Sequence, residues 1–315
     1  MLKTKLLSFL IIVNLTVISC ELPDSNYETV LKDELFRKDI LKNNPGEYIK
    51  LSEGYTYFED ANSSSETGNV VLVHGFSVPS YIWEVTFNTL KEKGYRVVMM
   101  DLFGRGNSDN PDLPQTDQLR AQQVLDLMDA LGIEKAVLAG LSNGGRIISK
   151  MAALDASKIE ALFYVSSSSF VDYETQMDTA VSPEEITSFI ETYPTRSAGQ
   201  LEDFYAPEQF PEWPQKYEKL LSHKGFAKAL LSTQKNLTTM DEIHQTIDSL
   251  ELPVYIFWGV HDKVVVYTDF DKKLKQLLPN MKEYFIEEAG HLPHMENRKA
   301  FEDYFLSSLQ KVISE

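Results

Sequence analysis

The sequence predicts an α/β protein, a doubly wound and mostly parallel sheet interrupted by one helical insertion, and three observations lead there. Val70-Val71-Leu72-Val73, Val97-Val98-Met99-Met100, Ala136-Val137-Leu138-Ala139, Ala161-Leu162-Phe163-Tyr164-Val165 and Val254-Tyr255-Ile256-Phe257-Trp258 are continuous apolar runs ending at small or polar residues. Strands buried on both faces of a parallel sheet read this way. Helix-length segments alternate with them, as in Thr116 to Leu131, where Leu119, Val124, Leu125, Leu127, Met128 and Leu131 fall near helical spacing. The alternation then breaks for about 80 residues, Phe170 to Leu250, which are rich in Phe, Tyr and Trp and punctuated by Pro183, Pro194, Pro207, Pro211 and Pro214. That segment reads as a mainly helical lid.

From the N-terminus, Lys3 and Lys5 precede a mostly apolar run from Leu6 to Ile18. Thirteen or so residues span roughly 20 Å as a helix, too short for a hydrocarbon core of roughly 30 Å, so the run reads as a secretory signal. Val17-Ile18-Ser19-Cys20 resembles a bacterial lipobox, with cleavage before Cys20 and lipid attached to it. Cys20 is the lone cysteine, so no intrachain disulfide can form. The expectation is a signal peptide over 1–19 and an exported protein held at the cell-envelope membrane by lipid on Cys20, each buried CH₂ contributing about 0.8 kcal/mol. The alternatives are a secreted or periplasmic product and an uncleaved anchor.

Residues 20–45 form a polar tether or N-terminal extension with a helical hint at Leu31, Leu35 and Phe36. Gly46 to Glu59 suggests two short strands joined around Ser52-Glu53-Gly54. The core therefore occupies 46–169, the lid 170–250, and a second part of the core 251–315. This last part adds a strand at Glu283 to Glu287 and a final helix with Phe301, Phe305 and Leu309 on one side. Forty-seven acidic against 30 basic residues give a net charge of −17, which repels phosphates at long range, so no nucleic acid partner is expected.

The chemistry concentrates at strand ends. Gly140-Leu141-Ser142-Asn143-Gly144 is a G-x-S-x-G placed after one apolar strand and before a helical run, a turn whose glycines are needed because a Cβ would meet neighbouring backbone. A serine hydroxyl requires a base, and the base a group that orients it. Asp262 follows the strand ending at Trp258, and His291 follows the last strand, both at the sheet's C-terminal edge where ligands of open α/β sheets gather. An oxyanion would be met by the backbone amides of Asn143 and of Phe76 in the turn His74-Gly75-Phe76. His74 reads as bracing that turn, His223 and His244 as surface residues, and His261 as shaping the Asp262 loop. His294 is the competing base and Asp172 the competing acid. No metal is expected: His291, His294 and Glu296 lack the familiar zinc-helix spacing.

Together, His74-Gly75-Phe76 with Trp83 downstream, Asp101-Leu102-Phe103-Gly104-Arg105-Gly106-Asn107-Ser108-Asp109, the Ser142 turn, the Asp262 loop and Gly290-His291 resemble the α/β-hydrolase superfamily, in the family's order, from about Gly46 to Glu315. The resemblance implies an eight-stranded, mostly parallel sheet, a lid over the site, no cofactor and a structural role for the Asp101 to Asp109 loop. Haloalkane dehalogenases and epoxide hydrolases carry aspartate where this chain has Ser142, and proline iminopeptidases a Gly-Gly-rich turn where it has Phe76-Ser77-Val78-Pro79. Asn143 stands where Met or Gln is frequent and is expected to alter the pocket; Arg298 stands where many relatives have proline, with no function attached.

The implied activity is acyl transfer to water from small-molecule carboxylic esters or related acyl compounds, through Ser142, His291 and Asp262. Lid aromatics such as Phe170, Tyr173, Phe189, Phe204 and Trp213 are expected to line an apolar pocket. Carbon-carbon bond cleavage of diketones, lactone or thioester hydrolysis on the same residues, and a non-catalytic surface binding module are the competing readings.

Overall fold

The computed structural model describes residues 26–314. Cys20 and the signal over 1–19 lie outside the described residues. Eight strands form one sheet: β1 (Glu47–Leu51), β2 (Gly54–Ala61), β3 (Asn69–Val73), β4 (Arg96–Met100), β5 (Ala136–Leu141), β6 (Ile159–Val165), β7 (Val254–Gly259) and β8 (Lys282–Ile286). Their order is β1-β2-β4-β3-β5-β6-β7-β8. β2 runs antiparallel to both of its neighbours, and every pairing from β4 to β8 is parallel. The predicted fold class holds, and each predicted strand is present.

Alternation along the buried strands explains why their sequences are apolar throughout. Val70 and Leu72 of β3 join one core cluster, whereas Val71 and Val73 join the other, because successive side chains point to opposite faces. One face is covered by α2 (Glu84–Glu92) and α11 (Arg298–Ser314), whose Phe301, Phe305 and Leu309 are buried. The other is covered by α3 (Asp117–Ala130), α4 (Asn143–Asp155) and α10 (Asp271–Leu277). Helix α3 begins where predicted because the Thr116 side chain accepts the Leu119 amide at 3.1 Å, satisfying a donor that the helix cannot.

The insertion between β6 and β7 carries α5 (Pro183–Ile190), α6 (Tyr193–Gly199), α7 (Trp213–Leu221), α8 (Phe226–Lys235) and α9 (Asp241–Ser249). The expected lid spans all of 170–250, but α9 packs on α4 and buries Ile247 in the sheet-face core. Only α5 to α8 stand above the strand ends as a cap. The N-terminal segment ties down this cap. Glu28 N donates to Leu221 O at 2.9 Å and Val30 N to Ser222 O at 2.8 Å, and the Glu28 carboxylate accepts Tyr193 Oη at 2.7 Å and the Ala227 amide at 2.8 Å. It also accepts the Gly225 amide at the start of α8. Helix α1 (Glu34–Asn43) follows, capped by Asp33. Residues from Asn26 onward thus dock on the domain. None of the described helices is long and apolar enough to cross a membrane.

One buried charge cluster joins the helices beneath the Ser142 turn. Asp117 of α3 accepts Arg146 Nη2 of α4 at 2.7 Å and Arg120 Nη2 at 3.2 Å, and all three side chains are buried. Removing the carboxylate would strand two guanidinium groups away from water. Asp117→Ala is therefore expected to lower stability by about 3 kcal/mol or more, read as a fall in denaturation midpoint. An unchanged midpoint would show that the two arginines find other partners.

Candidate active site

Strand β5 ends at Leu141 and helix α4 begins at Asn143, so Ser142 alone makes the reversal. Its φ is +51°, a left-handed conformation that costs a non-glycine residue about 1–3 kcal/mol. The surroundings enforce it: Ser142 N donates to Val165 O at 2.8 Å, while Ser142 O accepts Gly145 N at 3.0 Å and Ser168 N at 3.1 Å. A Cβ on Gly140 would lie 2.6 Å from the Gly144 carbonyl carbon, and one on Gly144 would lie 2.3 Å from Val73 O. Neither position accepts any side chain without moving the backbone. The turn sits between β3 and β5, where the chain winds in opposite directions on either side and open sheets form their ligand crevice.

The loops after β7 and β8 are pressed together. His261 N donates to Ala289 O at 2.9 Å, and a Cβ on Gly259 would stand 1.9 Å from Gly290 O. This contact sets the register between Asp262 and His291. Asp262 Oδ1 accepts the amides of Val264 at 2.9 Å and Val265 at 3.0 Å, which leaves Oδ2 to face His291 Nδ1 at 2.9 Å. Both side chains are buried. Burial by itself lowers the His291 imidazole, but the Asp262 carboxylate and its hydrogen bond, with Asp203 and Glu296 beyond, outweigh it and hold the group above its ordinary 6.5.

Ser142 and His291 line one cavity of about 170 Å³ with Gly75, Phe76, Ile82 and Leu292. Asp262 and His291 are joined by a hydrogen bond; among the described residues none joins Ser142 Oγ to the imidazole. The turn after β3 closes on the serine, since a Cβ on Gly75 would stand 3.3 Å from Ser142 Cβ and 3.9 Å from Oγ. His74 braces that turn: its Nε2 accepts the Leu102 amide at 2.9 Å, so Nδ1 carries the proton and donates to Gly75 O at 3.0 Å. Burial drives His74 down to about 3, keeping it neutral. Arg105 Nε donates to Phe76 O at 2.6 Å from behind. The Asn143 amide opens α4 and has no acceptor within its helix. The two candidate oxyanion donors, the amides of Phe76 and Asn143, therefore belong to turns that flank Ser142.

Several sequence expectations are corrected. The Asn143 side chain does not line the cavity; it is buried and accepts Arg120 Nη1 at 2.9 Å. None of Phe170, Tyr173, Phe189, Phe204 and Trp213 lines the cavity either. Phe204 stacks on Phe210 at 4.2 Å with Trp213 edge-on, and Phe204 and Trp213 join the core cluster on one face of the sheet, while Phe170 packs on the other face against Tyr164. His244 is not on the surface but fully buried beside Phe170, since α9 belongs to the core layer. His223 is half-buried, edge-on to Phe36 of α1. The competing base and acid are committed elsewhere: His294 Nε2 meets Ile82 O at 2.9 Å, and Asp172 pairs with Lys273 on the surface. Glu296 accepts the amides of Gly290 at 2.7 Å, Tyr205 at 2.5 Å and Ala206 at 3.2 Å. With their partners so divided, His291, His294 and Glu296 do not converge, and no cluster suited to a metal occurs among the described residues.

Two cap residues that sequence reasoning missed, Gln200 and Asp203, complete the cavity. Asp203 O accepts the His291 amide at 2.8 Å. No sequence signal marks either residue, because the cap places them at the cavity only in the folded chain, Asp203 through a backbone bond to the distant His291.

The α/β hydrolase fold family matches residues 68–246. The chain is 26% identical over 262 residues to the pimeloyl-[acyl-carrier protein] methyl ester esterase of Aliivibrio fischeri, covering 80% of this chain and 96% of that one. It is 23% identical over 267 residues to 3-oxoadipate enol-lactonase 1 of Acinetobacter baylyi, covering 84% and 97%. Among solved structures, an esterase from Exiguobacterium antarcticum superposes with a TM-score of 0.67 at 20% identity, covering 84% of this chain and 99% of that one.

An imidazole accepts a proton only when neutral, and this one is held above 6.5. Any hydrolysis at Ser142 should therefore fade as pH falls through a midpoint above that value. Asp262→Asn should shift the midpoint to lower pH and reduce the rate by about 10⁴, the order seen when such an aspartate is neutralised. A rate flat across about pH 6 to 8 would remove His291 as the base.

Proposed function

The chain belongs to the α/β-hydrolase fold family, and from that premise we propose that it is a serine hydrolase of small carboxylic esters. The observation that carries the reading is the buried Asp262–His291 hydrogen bond on the wall of the same cavity as the strained Ser142. Asp262 holds the imidazole with Nδ1 protonated, so that Nε2 can take the proton of Ser142 Oγ as it attacks the carbonyl. The Ser142 Oγ–His291 hydrogen bond forms on substrate binding, the stage at which catalytic hydrogen bonds commonly close. The developing oxyanion meets the amides of Phe76 and Asn143, each worth about 10² to 10³ in rate where similar donors have been removed. His291 then passes its proton to the departing alcohol, and water releases the acyl group by the same route.

A cavity of about 170 Å³ lies below the roughly 300–1,000 Å³ of drug-sized pockets, which supports short acyl groups. The esterase relative supports the bond class, and the enol-lactonase relative supports lactones as the second substrate class on the same residues. Export and lipid attachment at Cys20 complete the proposal, on the strength of Lys3, Lys5, the apolar run and Val17-Ile18-Ser19-Cys20.

A fluorophosphonate probe should label the wild-type protein and not Ser142→Ala. Nitrophenyl esters of two to four acyl carbons should be cleaved at least about tenfold faster than those of ten or more, ahead of diketones and thioesters. A well-folded wild type that takes no label would make the chain a binding module instead. For the anchor, processing should be sensitive to globomycin, and Cys20→Ala should lose lipid; a native N-terminus without lipid would overturn that part.

A further inference from the structure

We propose that Asp203 sets the charge specificity of the cavity, admitting neutral and cationic acyl compounds and rejecting those that carry a carboxylate. The inference deepens the hydrolase reading and rests on it for the identity of the reacting ester. Three observations support it. Asp203 is the lone carboxylate among the residues that line the cavity, and no Lys or Arg lines it; His291 is the other ionisable group there. The Asp203 carboxylate has no hydrogen-bond or ion-pair partner among the described residues, although the rest of the residue is tightly held. Finally, the segment cannot swing away to relieve a repulsion. Asp203 O receives the His291 amide at 2.8 Å, Glu296 receives the amides of Tyr205 and Ala206, and a Cβ on Gly290 would stand 2.8 Å from Asp203 O.

A carboxylate fixed in this way acts in two directions. Toward His291 it adds to the field of Asp262 and Glu296 that favours the imidazolium. Toward a ligand it offers an acceptor to an ammonium or hydroxyl and repels a carboxylate across a few ångströms of partly excluded water, where like charges interact far more strongly than in bulk solvent. The buried guanidinium of Arg105 lies behind Phe76, outside the cavity lining, with its Nε on the Phe76 carbonyl and its Nη2 on Thr233 Oγ1. Burial pushes Asp203 up to about 6, so the group is ionised at pH 8.

The test uses three methyl esters of similar size at pH 8: methyl pentanoate, monomethyl succinate and methyl 4-aminobutyrate. Affinities are measured by ligand-observed NMR on Ser142→Ala, which reads binding whether or not the serine reacts, and hydrolysis is followed with the wild type by pH-stat. Methyl 4-aminobutyrate should bind more tightly than methyl pentanoate, and monomethyl succinate about tenfold more weakly than the pentanoate, the order set by the charge contact with Asp203. In Ser142→Ala/Asp203→Asn the succinate-to-pentanoate affinity ratio should rise about tenfold and the aminobutyrate preference should vanish. Glu202→Gln, which removes an exposed charge one residue away, should leave both ratios as they were. Ratios unmoved by Asp203→Asn, or moved equally by Glu202→Gln, would overturn the assignment. Failure of fluorophosphonate labelling would sink the hydrolase reading alone, since the binding ratios would still report on Asp203.

Discussion

The whole site depends on one packing constraint, the absence of side-chain volume around Ser142. Strand β5 delivers the chain to its turn, and the helix must start within one residue, in a conformation that serine adopts only under compulsion. The compulsion is steric and hydrogen-bonded together. Gly140 and Gly144 lie against backbone with no room for a Cβ, while the carbonyl of Val165 and the amides of Gly145 and Ser168 close on the serine backbone. The strain is stored because the sheet and α4 are both deeply buried, so relief would require moving a core strand.

The same economy of space builds the Asp262–His291 pair. Gly259 permits two loops from adjacent parallel strands to touch, and that touch, rather than any property of aspartate or histidine, brings Oδ2 to Nδ1. The other oxygen of Asp262 is occupied by amides of its own loop, so the carboxylate has one orientation. Around the imidazole, burial and negative charge act in opposite directions, and the charge prevails. A histidine in this setting is basic because three carboxylates share its neighbourhood, and only one of them bonds to it.

The cap takes part through backbone as much as through side chains. Residues 203 to 206 are bonded to the His291 loop by the Asp203 carbonyl and the Glu296 carboxylate. On its far side the cap is held by the N-terminal segment, where Glu28 satisfies amides at the start of α8 that the helix leaves without acceptors. The cap is thus fastened at both ends, and its aromatic residues are used to hold it together rather than to receive a ligand.

By itself the sequence determined the strands, the helices flanking them, the single-residue turn at Ser142 and the positions of Asp262 and His291 after their strands. These follow from local rules: an apolar run long enough for a strand, apolar residues at helical spacing, glycines where no Cβ fits. Tertiary structure alone decided what the insertion does. Its Phe, Tyr and Trp residues carry the same apolar signature whether they line a cavity or join the core on a sheet face, and α9 reads like its neighbours although it packs on α4. It also decided the partners of Asn143, His244 and Asp203. A side chain's chemistry is written in the sequence, but whether it faces a ligand, a guanidinium or a neighbouring ring is fixed by contacts between segments far apart along the chain.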